Sequence, residues 1–495
     1  MVSSDDMRIL FCLNNVSKAR HFDSVVEMLV ERGHTVVLAA ARQRNRALAL
    51  PKNLGLVNRR LIARGLPGRI EVTACPVHRV DRWQTLAPAV RQARDYLRFF
   101  DERYVHAEKL ERRSATHAPK GWLRFMQTHR WLSRRWRLVS DGLALVERAI
   151  PSEKLFDLFL TYEQPDLVLV TPLVDYGSYQ TDYVKSAHRI GVPVVFAPFS
   201  WDNLTNRGLI RVEPDRVLAW NEIQKAEAVD LHGVSPERVR VIGAPRFDEF
   251  FAMKPSGPRD AFCHRTGLDP DRPFLLYVCS SEFVAPREVE FVTRWIAHLR
   301  GATDPTVRTC GLLVRPHPAH VNQWKGVDLS EFPNVTLWHE KESMNADQGL
   351  YDSLHHAAAV VGLNTSAMIE AGIVGRPVLT LVMKEFSGGQ EGTLHFHYLR
   401  AVNGGLLHEA HSLDEHVTQV GAALRGQNSG DQTARFVERF VRPRGLALPV
   451  TPIMVQEIEE AGRLPKKPQR PALWHYAVRF CLQTAMRASR LRAAR

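Results

Sequence analysis

The segment Val361–Leu381, VGLNTSAMIEAGIVGRPVLTL, joins an apolar strand to a helix through the polar turn Asn364-Thr365-Ser366. Such a turn leaves the first amides of the helix without intrahelical acceptors. The positive end of the helix dipole reinforces them, so the turn suits a phosphate. Thr365 and Ser366 add hydroxyl donors at short range, in N-cap chemistry. Glu370 lies one turn beyond Ser366 on the same face, where a carboxylate can accept ribose hydroxyls. An ordinary strand-turn-helix unit with routine caps shares this pattern. The turn gains meaning from its company.

That company comprises four further segments. Leu313–Pro318, LVRPHP, ends a strand on Arg315 and His317. Arginine offers a two-pronged fork to phosphate and histidine a single donor to a departing diphosphate; a capping histidine is the plain alternative. Val239–Asp248, VRVIGAPRFD, runs a strand into a turn where Gly243 permits close backbone approach and Arg246 can meet an anion. Ser281 and Glu282 follow the strand Phe274–Cys279 and form a second phosphate-side candidate. Gln390 and Glu391 open the segment QEGTLHFHY, whose polar groups can contact a donor. On a strand, His395 and His397 of that segment share a face. No third ligand accompanies them, so no metal is expected.

These residues need a scaffold of parallel strands. Met7–Asn15, then an amphipathic helix over His21–Arg32, then His34–Ala40 make a βαβ unit at the N-terminus. Strands over Asp166–Thr171, Val192–Ala197 and Arg216–Trp220 continue it. A second series begins at Phe274 and passes through Gly311–Val314, Val335–Trp338, Ala358–Leu363 and Pro377–Leu381. The polar stretch Lys254–Asp260 joins the two. The pattern predicts an α/β chain of two Rossmann-like, doubly wound domains facing a cleft. Residues 1–253 form the first domain, with a helical insert at 84–155. Residues 254–445 form the second, and 446–495 a C-terminal helix and tail.

The insert and the tail carry the charge. Residues 91–148 hold fourteen Lys/Arg against seven Asp/Glu, and Gly121–Leu138 mixes three tryptophans with five arginines. Pro465–Arg495 has eight Lys/Arg and no acid. The whole chain carries +13, which favours polyanionic partners. Tryptophan with arginine suits a helix lying on an anionic membrane surface. No nucleic-acid-binding signature accompanies the charge, so nucleic acid is not the expected partner. With 45% hydrophobic residues and a mean hydropathy of −0.22, the chain reads as globular. Its apolar runs are too short to span a bilayer. The six cysteines are scattered without zinc or redox spacing, and the expected location is the cytoplasm or the inner face of its membrane.

GAPRFD, LVRPHP and GLNTSAMIEAGIVGRPVLTL, in this order and spacing, resemble the donor half of nucleotide-sugar-dependent glycosyltransferases of the GT-B type. Bacterial surface-polysaccharide glycosyltransferases, CDP-glycerol glycerophosphotransferases and non-hydrolysing UDP-N-acetylglucosamine 2-epimerases share such segments. RHFDSVVEMLVERGHTVVL is similar to the start of many GT-B acceptor domains. The resemblance spans about residues 7–400. It implies that Thr365 and Ser366 hold the donor phosphates, Glu370 the ribose and His317 the diphosphate. Asn364 stands where the glycerophosphotransferase pattern has an aspartate. The implied activity is transfer of a sugar from a nucleotide-activated donor to a cell-surface glycan or lipid-linked acceptor. The donor is a substrate, and no cofactor is implied. A CDP-polyol phosphotransferase and a non-catalytic nucleotide-sugar-binding protein are the alternatives. An inverting transfer needs a general base on the acceptor side. His21, Asp175 and Asp202 stand where loops leave first-domain strands, and Trp201 beside Asp202 can stack on a sugar.

Overall fold

The structure is a computed structural model that describes residues 6–41, 49–65, 69–338, 346–427 and 430–493. The first five residues and the last two of the basic tail lie outside the described residues. Two compact units emerge. The first comprises residues 1–105, 110–246 and 448–495; the second comprises 106–109 and 247–447.

The first unit is built on seven parallel strands: β1 (Arg8–Leu13), β2 (Thr35–Ala40), β3 (Arg69–Ala74), β4 (Leu167–Thr171), β5 (Val194–Phe196), β6 (Arg216–Ala219) and β7 (Val239–Val241). Their order across the sheet is β3-β2-β1-β4-β5-β6-β7. The chain winds outward from β1 and then crosses back to lay β4 on its other side. Leu10 therefore pairs with Val37 on one edge and Val168 on the other. Central strands such as β4, LVLVT, are buried at every position, as a sheet covered on both faces requires.

The second unit repeats this design with β8 (Phe274–Val278), β9 (Gly311–Arg315), β10 (Val335–Leu337), β11 (Ala359–Gly362), β12 (Val378–Leu381) and β13 (Leu407–Ala410). Its order is β10-β9-β8-β11-β12-β13, again parallel throughout. The winding reverses between β8 and β11. In open sheets of this kind, ligands bind beyond the carboxyl ends of the strands at that reversal.

The doubly wound architecture agrees with the reading from sequence, while three details differ. The edge strands β3 and β13, RIEVTA and LHEA, escaped it because their half-polar residues give no apolar run. The joint between units falls at Arg246–Phe247, not in Lys254–Asp260. Phe250 packs edge-on against Tyr351 at 5.3 Å, and Asp248 pairs with Arg442 at 2.6 Å, which ties this stretch to the second unit. The C-terminal segment is not a separate appendage. Helix Val450–Gly462 lies against helix Asp23–Glu31, with Met454, Val455 and Ile458 fully buried in the core of the first unit. Each such side chain contributes about 1.5–3 kcal/mol through removal from water.

The helical insert is fastened through buried charge. Arg91 of helix Leu86–Leu97 donates to both oxygens of Glu147 at 3.1 Å and both of Asp182 at 2.7 and 2.8 Å. Arg79 reaches Asp182 at 2.6 Å and Lys185 reaches Glu147 at 2.6 Å. Helices Trp136–Ala149 and Gln180–Ile190 are thereby joined to the first. The tail helix Leu473–Ala493 packs on Trp136–Ala149. Its Leu482 and Met486, spaced i,i+4, turn inward onto the cluster of Trp83, Ala87 and Ile150. Leu473, Tyr476 and Phe480 recur at spacings of three and four and form an exposed stripe; Leu473 is 89% and Phe480 71% exposed.

Candidate functional site

At the reversal of the second unit, the turn after β11 is held from below. Gln390 is fully buried and donates its amide to Leu363 O at 3.0 Å and Leu381 O at 2.9 Å, tying the ends of β11 and β12 together. Asn364 donates to Gly389 O at 2.7 Å and to His395 Nε2 at 3.2 Å. Asn364 and Thr365 are buried and Ser366 is half-buried, so Ser366 is where the turn reaches solvent. The first helical bonds, Met368 N to Thr365 O and Ile369 N to Ser366 O, start beyond the amides of Ser366 and Ala367. Those two amides therefore precede any intrahelical acceptor.

Gln390 and Asn364, expected from the sequence to contact the donor, use their side-chain N–H groups to position the turn. Glu391 is exposed and pairs with Arg400 at 3.1 Å. Glu370 is buried within the first turn of helix Ala367–Ile373. The His395/His397 pair does not share a face. Both lie on helix Leu394–Ala401, where residues two apart point to different sides. His395 is buried beside Asn364, and His397 is exposed and bonds Glu391 O at 2.9 Å.

His317, beyond β9, caps a 3-10 turn: its Nδ1 accepts from Ala319 N at 3.1 Å. Burial, and then His320, push its pKa below the ordinary value, so the ring is neutral at pH 7. With Nδ1 accepting, the proton of the neutral ring sits on Nε2 and is available to a ligand. Capping and donating are compatible because they use different nitrogens. Arg315 spends one arm of its fork on Gly349 O and Ser353 Oγ, each at 3.0 Å. Ser281 is half-buried and Glu282 exposed in the loop after β8.

A residue with no motif around it in the sequence organises that loop. Glu288 opens helix Glu288–Arg300, is fully buried, and accepts from Ser280 N at 3.0 and 2.9 Å and from Tyr277 Oη at 3.1 Å. Burial pushes its carboxyl up to about 8, so it is largely protonated at neutral pH. The only signal in the sequence is an acid in the first turn of an apolar helix, which is common.

The first unit carries a matching arrangement at its own reversal, between β1 and β4. Gln180 donates to Cys12 O and Thr171 O, both at 2.8 Å, and so clamps the ends of β1 and β4. Gln390 makes a similar tie in the second unit, one strand further along, between the ends of β11 and β12. Asn14, beyond β1, donates to Asp175 Oδ2 at 3.0 Å, and Arg207 pairs with Asp175 Oδ1. Asp175 is about one-third exposed and lines a pocket of about 430 Å³ with Asn14, Arg79, Tyr176, Ser178 and Tyr179. Buried Asp95, also missed in the sequence, sets the loop: it accepts from Gly177 N and Leu209 N at 2.9 Å and pairs with Arg211. Arg211 in turn donates to Asp175 O at 2.9 Å.

The other two base candidates are placed differently. His21 is buried and stacked on Phe199, with ring centroids 4.9 Å apart. Burial, followed by Arg246, Arg20 and Lys18, pushes its pKa down to about 2, which makes it a poor proton acceptor. Asp202 accepts from Ser200 Oγ at 2.6 Å and Asn206 Nδ2 at 3.3 Å within its own loop. Trp201 beside it is buried and offers no face to a sugar. Gly243 adopts φ +106, a conformation glycine tolerates, in the turn that leads to half-buried Arg246.

The two Rossmann-like units, wound 3-2-1-4-5-6-7 and 3-2-1-4-5-6 from their own first strands, define the GT-B fold. In structure the chain is similar to the UDP-GlcNAc 2-epimerase from Neisseria meningitidis bound to UDP-GlcNAc, at 13% identity over 92% of this chain and 100% of that one, with a TM-score of 0.50. It is equally similar to a glycosyltransferase from Rickettsia africae ESF-5, at 9% identity over 93% and 100%, TM-score 0.50. No protein-family model matches the sequence, and neither does any curated protein.

Proposed function

We propose that the second unit binds a nucleotide-activated sugar and that the protein transfers the sugar to a glycan or lipid-linked acceptor held by the first. One observation carries this reading. His317, Ser281 and the Thr365-Ser366 turn stand at the carboxyl ends of three adjacent strands, β9, β8 and β11, at the winding reversal. Strands spaced about 4.8 Å apart put the outer two roughly 10 Å from each other, a span a nucleoside diphosphate can bridge. The Ser366 and Ala367 amides take phosphate oxygens, and His317 Nε2–H supports charge building on the departing diphosphate. Asp175, at the corresponding reversal of the first unit, is the general base. The nitrogen- and hydroxyl-based donor set holds the diphosphate without a metal.

Thermal-shift screening against UDP-, GDP-, CDP- and dTDP-sugars and CDP-glycerol tests it. One nucleotide sugar is expected to stabilise the chain by about 2.7 kcal/mol at a hundredfold excess over Kd. Thr365→Ala/Ser366→Ala, which removes the two hydroxyls and leaves the Ser366 and Ala367 amides, is expected to reduce that gain by about 1–3 kcal/mol. A double variant stabilised as strongly as the parent would place the donor elsewhere, and a response to CDP-glycerol alone would make the protein a polyol phosphotransferase.

The acceptor's setting follows from the exposed stripe of the tail helix. Leu473, Tyr476 and Phe480, on a segment without acids, suit the interface of an anionic bilayer, with Trp131 and Leu138 of the insert also exposed. Among the described residues no helix is long and apolar enough to cross a membrane. Leu473→Ser with Phe480→Ser, both at exposed positions, is expected to weaken sedimentation with phosphatidylglycerol vesicles by roughly tenfold, the effect of losing two interfacial anchors. Undiminished sedimentation would refute the membrane contact.

A further inference from the structure

The pocket of about 430 Å³ in the first unit lies beyond the carboxyl ends of β1, β3 and β4. Its size is that of a small-molecule site, for which about 300–1,000 Å³ is usual. Apart from exposed His78, the acids and bases of its lining already have partners. Arg79 pairs with Asp81 at 2.5 Å and with Asp182 at 2.6 Å. Arg91 pairs with Glu147 at 3.1 Å and with Asp182 at 2.7 Å. Asp175 pairs with Arg207. The side chains of Arg79, Arg91 and Asp182 are at most 2% exposed.

This lining selects against charge. A phosphate entering the pocket meets two arginines whose forks are spent, and two carboxylates that repel it. An ammonium meets Asp175 held by Arg207, and Asp182 shut behind Arg79 and Arg91. What the walls offer is uncharged. Gln84, just before helix Leu86–Leu97, is exposed, and its side-chain amide makes no hydrogen bond among the described residues. Tyr176 and Tyr179 donate their hydroxyls to Asn206 O and Leu13 O, each at 3.3 Å, so they add chiefly ring surface. Val77 and Pro88 extend the apolar wall. Aromatic and apolar walls with a free amide match a ligand that has C–H faces and a rim of hydroxyls.

We propose that this pocket takes an uncharged sugar ring, the end of the acceptor that receives the transferred sugar. The assignment to an acceptor rests on the transferase reading above; the selection of a neutral sugar rests on the lining. Gln84 holds hydroxyls on one side of the ring, the tyrosines lie along it, and Asp175 faces another hydroxyl. A lipid-linked acceptor therefore enters through its sugar, with its phosphate left outside, and a polyol phosphate is not taken.

Saturation-transfer NMR on the full chain, without nucleotide, tests the pocket. The probes are the methyl glycosides of glucose, galactose, mannose and N-acetylglucosamine, with inorganic phosphate and glycerol phosphate as competitors. At least one glycoside is expected to bind, and neither phosphate to displace it. Gln84→Ala, at an exposed position, should raise its Kd roughly three- to tenfold, as loss of one uncharged hydrogen bond does. Binding by no glycoside, displacement by either phosphate, or an unchanged Kd in Gln84→Ala overturns the proposal. The nucleotide thermal shift fails separately. Glycoside binding without nucleotide stabilisation keeps the sugar pocket and removes the transferase reading; nucleotide stabilisation without glycoside binding removes the sugar pocket alone.

Discussion

Glu147→Ala is expected to cost the first unit about 3–5 kcal/mol, because it takes the paired carboxylate from buried Lys185 and leaves buried Arg91 with Asp182 alone. Arg91 and Lys185 both pair with this carboxylate, and the side chains of all three are at most 8% exposed. Burial by itself raises the Glu147 pKa, yet Arg91 and Lys185 hold it below the ordinary value. Asp182, likewise buried, is held at about 2 against an ordinary 3.8 by Arg91 and Arg79. Both folded-state values are depressed. Their stabilisation is therefore complete above the unfolded values and disappears as pH falls through the folded ones. The first unit's unfolding midpoint should drop steeply between about pH 4 and pH 2. In Glu147→Ala the midpoint should be lower at neutral pH and the acid slope shallower. Urea unfolding followed by circular dichroism across that range reads both. A neutral-pH loss below about 1 kcal/mol, the size of an exposed pair, would mean that water reaches the network.

Asp175→Asn is expected to lower turnover by about 10²–10⁴-fold, the usual weight of a positioned general base. Asparagine keeps an acceptor for Asn14 Nδ2 and leaves the loop held by Asp95 and Arg211, so the pocket should survive. Nucleotide-induced stabilisation in the second unit should be unchanged. Release of nucleoside diphosphate from whichever donor stabilises the chain provides the assay. Retention of more than about a tenth of the turnover would remove Asp175 from the base role, since a positioned base contributes more than that.

The strands that carry the fold were legible because burial on both faces writes itself into composition. FLLYV, GLLVR and LVLVT are apolar but for a terminal Arg315 or Thr171 and the Tyr277 hydroxyl, which Glu288 satisfies, and β1, β4, β8 and β9 stand where those runs predict. The Thr365-Ser366 turn and the His317 strand end were legible for a related reason. A polar break after an apolar run marks the carboxyl end of a strand, and that is where ligands bind in this topology. QEGTLHFHY folds otherwise. Alternating histidines read as a strand, but the segment coils into Leu394–Ala401, because eight residues carry too little periodicity to separate the two.

The sequence by itself determined that there are two doubly wound units, and roughly where each chain segment must present polar groups. Tertiary structure alone decided which polar groups meet. Arg91 finds Glu147 and Asp182 across 56 and 91 residues, Asp95 reaches Leu209 across 114, and Lys18 shares the Phe199 ring with His21 and Arg207. Gln390 and Asn364 turn inward as clamps while Ser366 turns outward. Periodicity records only whether a residue is wet or dry, a local property. A buried charge is stabilised by a particular partner at a particular distance, and that distance exists only once the sheets have wound.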